Sequence, residues 1–292
     1  MSAETARAGR RKATKARRVS TVVWHAGIIA VLAIVLYPIV WVVAATFKPS
    51  SDIIGSLSLF PTEPTTHNYE RAVEGIADIS IGRFFWNSTV LAVLSVVGTV
   101  ASSALAGYAF ARLRFRGRGA MFALMISTLL LPFHVLIIPQ YAVFQKLDLI
   151  DTYVPLLLGK FLATEAFFVF LMVQFMRTIP HELDESAKID GAGPWGIFWH
   201  IILPLARPAI ITTAIFTFIW SWNDFFGPLI YLSTPDKYPL PLALQLFVDE
   251  ASGSDFGALM AMSMLALVPV VLFFLFFQRF LVEGVSTSGL KG

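Results

Sequence analysis

The chain has 292 residues, of which 57% are hydrophobic and 14% charged, with mean hydropathy +0.72 and formal net charge +3. A soluble domain carries about a quarter charged residues, so these proportions exclude an ordinary soluble globular protein and indicate a polytopic membrane protein. The absence of cysteine excludes disulfides, thiolate metal sites and a cysteine nucleophile.

The first element is a basic stretch, ARAGRRKATKARR (6–18), within a tail spanning 1–20. No aromatic residues interleave its charges, so it reads as a disordered cytoplasmic arm that fixes topology, not as a nucleic-acid site. The apolar run 22–47 is too long for the core of a cleaved signal and is read as a retained first span, within the segment 21–48. Five further stretches reach the roughly 20 mainly apolar residues that a transmembrane helix needs: 86–111, 120–144, 153–176, 208–232 and 259–282. The expectation is therefore an all-α polytopic protein with six transmembrane helices.

Lys and Arg in short loops set orientation. Arg112, Arg114, Arg116 and Arg118 fill the connection between the second and third spans, whereas the loops 48–85, 146–151 and 235–257 are acidic or neutral. The arginine loop is thus expected in the cytoplasm. Arg279 and Lys291 place the carboxyl tail, 284–292, there with the amino end.

This topology puts HELDESAKIDGAGP (181–194), between the fourth and fifth spans, in the cytoplasm. Pro180 suits a first helical turn, Glu182, Asp184 and Glu185 favour the positive end of the helix dipole, and Gly191 stops the helix. A helix of about three turns over 180–192 follows, with Leu183, Ala187 and Gly191 spaced by four as one small stripe. Asp184 is expected to pair with Lys188 on the polar side. A slight stripe on an acidic helix fits docking in another protein's groove better than lying on lipid, although Trp195, Phe198 and Trp199 just beyond suit a membrane interface.

These residues carry a resemblance. ESAKIDGAGPWGIFWHIILP (185–204) is similar to the EAA signature of binding-protein-dependent ABC importer permeases, matching at Glu185, Ser186, Ala187, Gly191, Ile201, Leu203 and Pro204, with Ser186 in place of the usual first alanine. WNDFFGPLIYL, YPLPLALQLF and FQRFLVEGVSTSGLKG further resemble the sugar-importer branch, and within it the MalG-type subunit. The resemblance implies a MetI-like permease core of five spans (84–283) with one peripheral first helix. It also implies a MalF-type second permease, an ATPase dimer that binds ATP and Mg, an extracytoplasmic solute-binding protein and a sugar cargo. No cofactor is then expected on this chain and no catalytic residue; Leu183, Glu185, Ser186, Ala187, Asp190 and Gly191 would form the ATPase contact.

Other motifs point nowhere. GAGPWG (191–196) matches G-x-G-x-x-G but follows a helix and contains Pro194; there is no Walker A sequence; and HELDE lacks the second histidine of H-E-x-x-H, while His25, His67, His134, His181 and His200 are scattered. The acceptor triplet at Asn87 opens a span and reads as coincidence.

Polar groups inside spans cost about 2.5–3.5 kcal/mol when charged and need a reason. Asn223 and Asp224 lead, with Lys160, Glu165 and Gln174 in the fourth span. They suit a polar lining of a sugar path, with Trp220, Trp222 and Phe225 stacking beside it, and equally suit hydrogen bonding between helices. Pro132, Pro139 and Pro155 are expected to kink or break helices. Two other readings remain: a glycerol-phosphate or similar cargo, which would want cations facing the cavity, and an ATP-independent transporter, which would want poised carboxylates and symmetric broken helices.

Overall fold

The computed structural model describes residues 3–53, 55, 57–76, 78–250 and 255–286, of which 3–19, 133, 134, 248–250 and 279–286 are described by their backbone. Among the described residues the regular structure is helical: α1 (Ala3–Ala45), α2 (Ser50–Ile53), α3 (His67–Glu74), α4 (Ile81–Arg112), α5 (Arg118–Thr128), α6 (Phe133–Lys146), α7 (Val154–Phe161), α8 (Ala166–Thr178) and α9 (Glu182–Ile189). Then come α10 (Pro194–Ile197), a π-helical turn (Phe198–Ile202), α11 (Leu203–Leu205), α12 (Arg207–Trp222), α13 (Phe226–Tyr231), a 3₁₀ turn (Pro235–Lys237), α14 (Leu240–Glu250) and α15 (Phe256–Ser286). Lys291 and the end of the expected carboxyl tail lie outside the described residues.

The basic arm is not the disordered segment expected from its charge. Alanine, lysine and arginine are good helix formers, and α1 runs unbroken from Ala3. At 1.5 Å per residue its 43 residues extend about 65 Å, roughly twice a hydrocarbon core. The apolar part, Ser20–Ala45, is almost wholly unburied within the chain, and α1 makes its contact with α15. It stands at the periphery.

Helix α4 is the axis of the bundle, with α12 along one side and α7 and α8 along another. Small residues make this possible. A Cβ added at Gly107 would lie 2.6 Å from Met172 Cβ on α8, and one at Gly98 would lie 2.8 Å from the Phe161 ring on α7. Backbones approach closely where side chains are absent, which is how helices gain van der Waals contact when lipid offers no hydrophobic contrast. Two apolar clusters result. One, at the arginine-loop end, joins Tyr108, Met172, Met176, Phe198 and Ile202; the other, at the opposite end, joins Phe84, Trp222, Leu240, Phe247 and Met262.

Among the described residues four helical stretches are long and apolar enough to cross a membrane: Ser20–Ala45, Ile81–Arg112, Val154–Thr178 and Phe256–Gln278. A fifth is the pair Pro194–Leu205 and Arg207–Trp222, bent by 73°. The expected span 120–144 is not one helix: α5 and α6, 11 and 14 residues long, rise only about 16 and 21 Å. The chain breaks at Leu129–Pro132, where Leu129, Leu130 and Leu131 donate three residues back and Pro132 has no N–H to continue the ladder. The span expected over 208–232 likewise divides after Trp222 into α12 and α13.

Candidate functional site

Helix α9 forms for the reasons its sequence suggests but is shorter, two turns instead of three. Pro180 holds Ile179 in an extended conformation (ψ 130°), which delays the start. At the other end Gly191 takes φ +83°, Gly191 N–H donates to Lys188 O and Ala192 N–H to Ala187 O. This is the Schellman closure, which asks for a residue tolerating left-handed φ. Nothing lies within 4 Å of a Cβ added at Gly191, so within this chain the glycine serves conformation and not close approach.

The expected stripe is split. Ala187 is buried in the chain's own core beside Val169, Met172 and Ile202, while Leu183 and Gly191 are exposed. The outward ridge is instead Glu182, Glu185, Ser186 and Ile189, with Asp190 beyond; Ile189 is 87% exposed, an apolar tip among acids. Nor does Asp184 pair with Lys188. Its side chain is 8% exposed and lies 3.5 Å from Arg112, itself 1% exposed. A solvated i,i+4 pair is worth only about 0.3–0.5 kcal/mol, too little to hold Asp184 outward against a buried guanidinium. Of the aromatic residues beyond the helix, Trp195 and Trp199 are exposed, but Phe198 is core, 5.1 Å from Tyr108.

Arg112 is the joint of this end. Its Nη2 donates to Met176 O at 2.8 Å and Ile179 O at 2.6 Å, carbonyls where α8 ends, and Nη1 donates to His181 Nδ1 at 2.9 Å. One planar cation thus closes the negative end of α8 and ties α9 to α4. Tyr108, one turn earlier, donates to Pro194 O at 2.9 Å. The sequence reading used Arg112 only as a topology signal. Its placement four residues after Tyr108, as the last residue of α4 on the same helix face, was the available clue.

In the membrane-spanning part, two helix breaks carry the polar candidates. The turn between α7 and α8 is closed by Thr164, whose Oγ1 donates to Gly159 O at 3.0 Å, with Ala163 at φ +57°. Lys160 and Glu165 pair across it at 2.5 Å, and Ser102 Oγ of α4 donates to Lys160 O at 2.7 Å. At the second break Asn223 Nδ2 donates to Ile219 O at 2.7 Å, and Asp224 Oδ1 accepts from Gly227 N–H at 3.0 Å, so both side chains finish or start a helix. Trp220 is exposed and meets Phe167 and Phe168 of α8 at 5.9 and 5.2 Å. Gln174, seven residues past Phe167, continues the same exposed face. Trp222 does not belong there: it is core, and its indole donates to Ala266 O at 3.2 Å.

The opposite end is fastened by a second knot that the sequence reading missed. Asp151 accepts from Ser233 N–H, Thr234 N–H, Thr234 Oγ1 and Lys237 Nζ at 2.6–3.0 Å. Burial alone would raise this carboxyl; the Lys237 and Thr234 side chains and the two backbone donors outweigh it and hold it well below the usual aspartate range. Asn87 is buried and its amide is taken, donating to Asp236 O and Tyr238 O at 2.8 and 3.0 Å. A folded-state carboxyl held low contributes stability that is complete above the unfolded aspartate range and lost as pH falls through about 4 and below. Asp151→Asn is expected to lower stability by about 1–3 kcal/mol at neutral pH and to flatten the acid limb of a melting-temperature profile in detergent; an unchanged profile would contradict the assignment.

The chain matches the model of the binding-protein-dependent transport system inner membrane component family over residues 98–287. It is 32% identical to the arabinooligosaccharides transport system permease protein AraQ of Halalkalibacterium halodurans, covering 89% of this chain and 92% of the relative. It is 32% identical to the diacetylchitobiose uptake system permease protein NgcG of Streptomyces coelicolor, over 94% and 91%, and 34% identical to the sn-glycerol-3-phosphate transport system permease protein UgpE of Brucella abortus, over 92% and 96%. A crystal structure of a bacterial ABC transporter involved in the import of the acidic polysaccharide alginate superposes with TM-score 0.77 at 22% identity, covering 90% of this chain and 97% of that one, which establishes the shared fold. With the helical bundle, the short polar helix inserted between spans and these similarities together, the chain belongs to the inner-membrane permease family of binding-protein-dependent transport systems.

Proposed function

We propose that this chain is one of two permease subunits of an ATP-driven oligosaccharide importer, and that α9 is its contact with the ATPase. The observation that carries this is the mounting of α9: a two-turn helix fixed to α4 and α8 by buried Arg112 and Asp184, with Glu185, Ser186 and Ile189 presented outward. An element held this firmly on the inside and left bare on the outside suits the transfer of movement from a partner into the bundle. Leu183, Asp190 and Gly191 complete its exposed surface, and Ala187 acts from beneath by seating the helix.

In this reading the arginine loop, α9 and both termini face the cytoplasm. A MalF-type second permease completes the path, an ATPase dimer holds ATP and Mg, a solute-binding protein delivers cargo from the far side, and residues 84–283 form the moving core. The arabinooligosaccharide and diacetylchitobiose relatives support a neutral oligosaccharide as cargo. The sn-glycerol-3-phosphate relative keeps a phosphorylated solute as the second reading.

Purification of the tagged chain from its native membranes in mild detergent should bring down an ATPase, a second permease and a binding protein. Glu185→Lys should insert normally but reduce ATPase recovery at least about tenfold, equivalent to about 1.4 kcal/mol at the contact. Undiminished ATPase recovery and uptake with that variant would overturn the docking assignment.

A further inference from the structure

The Lys160–Glu165 pair stands at a break in a span, where a charge has to be answered by another group. Its surroundings are specific. Ser102 of α4 holds the carbonyl of Lys160, and Thr164 folds the turn back on Gly159. The second break comes close: a Cβ added at Gly227 would fall 2.6 Å from Asp224 Oδ2 and 3.1 Å from Leu156 Cδ2, and Leu156 precedes Lys160 by one helical turn. Asp224 and the α7 turn that precedes Lys160 thus meet at Gly227. Two interrupted spans therefore bring one cation together with two carboxyl groups. Beside them Leu162, 62% exposed, and the exposed Phe161, Phe167 and Trp220 give an open aromatic margin.

We infer that Lys160, Glu165 and Asp224 form a charge filter that passes uncharged polyhydroxyl solutes and disfavours anionic ones, with Glu165 as the residue that determines this specificity. The inference rests on the reading of this face as the translocation path. An anionic cargo such as a sugar phosphate or a uronate needs a cation with free charge. Here the lysine is already engaged by Glu165, and the second carboxyl adds negative character. A neutral sugar loses nothing by this, because its hydroxyls donate to carboxylate oxygens and accept from the ammonium group.

The chain has no cysteine, so Leu162→Cys supplies a single reporter thiol on this subunit, and labelling of the purified importer is read on this chain after the subunits are separated. Its reaction rates with anionic, cationic and neutral methanethiosulfonate reagents are compared with those of a free thiol. The anionic reagent should be disfavoured relative to the cationic one. Glu165→Gln in the same background should raise the anion-to-cation ratio roughly tenfold, and Lys160→Gln should lower it, as expected for removing one unit charge at short range in a medium of intermediate dielectric. A thiol that reacts with all three reagents but keeps its ratio in both variants would overturn the filter and leave the path intact. A thiol that reacts with none, with or without ATP, would overturn the path itself and the filter with it. If Glu165→Gln does not assemble, Lys160→Gln alone decides by the sign of its shift.

Discussion

Arg112→Ala is expected to cost about 3–5 kcal/mol of folding stability, because it leaves Asp184 as a buried carboxylate without its cation. The same change strips the closing donors from Met176 O and Ile179 O and frees α9 from α4. Arg112→Lys should recover only part of this, since a single ammonium cannot reach two backbone carbonyls, His181 and Asp184 together. Asp184→Asn should be milder, keeping a polar partner for the guanidinium while removing the charge. The measurement is a melting curve of the purified chain beside its ATPase recovery. Equal melting temperatures for wild type and Arg112→Ala would show that the buried pair is not what holds this end together. The pair also leaves Arg112 Nε and Asp184 Oδ1 without hydrogen-bond partners among the described residues, so its geometry is not optimal as a pure stabiliser. It is better understood as a fixed bearing for α9.

Gly107→Leu should have the next largest effect. Even a methyl group at this position would lie 2.6 Å from Met172 Cβ, well inside contact distance, and the obstacle is the root of a side chain on a packed helix and not a mobile tip. Helices α4 and α8 would have to separate, and overpacking of this kind costs about 1–3 kcal/mol or more. Gly107→Ala should show a smaller loss of the same kind. Gly119→Ala, where nothing lies within 4 Å of the added methyl, should instead be neutral or gain up to about 1 kcal/mol, the ordinary helix preference for alanine. A melting temperature unchanged by Gly107→Leu, with Gly119→Ala as its control, would remove the close approach from the account of the fold.

The outline of the molecule was legible in the residues because membrane insertion depends on local properties. Length and continuity of apolar runs, arginines in the 112–118 loop and an acid-to-glycine helix between two spans are read along the chain, without knowledge of what packs where. The interruption of 120–144 was half legible: Pro132 and Pro139 were marked, but composition alone could not say that the run would end as two short helices. The faces of α9 were misjudged for a different reason. A spacing of four groups Leu183, Ala187 and Gly191 on an isolated helix, yet which direction is outward depends on where α4 and α8 lie, and they claim Ala187 and Asp184.

The sequence by itself determined that this is a helical membrane protein with a polar helix inserted near its carboxyl half, and its signature residues named the family. These follow from solvent: apolar segments partition into lipid, and acidic and glycine-rich ones do not. Tertiary structure alone decided that Arg112 and Asp184 join three helices, that Asp151 ties two distant loops, and that the break holding the Lys160–Glu165 pair packs against the break holding Asp224. Each of these depends on groups well separated along the chain, or on a turn whose shape is set by its neighbours. Charges far apart in sequence have no fixed relation until packing sets the distance between them, and their interaction energy depends on that distance and on burial.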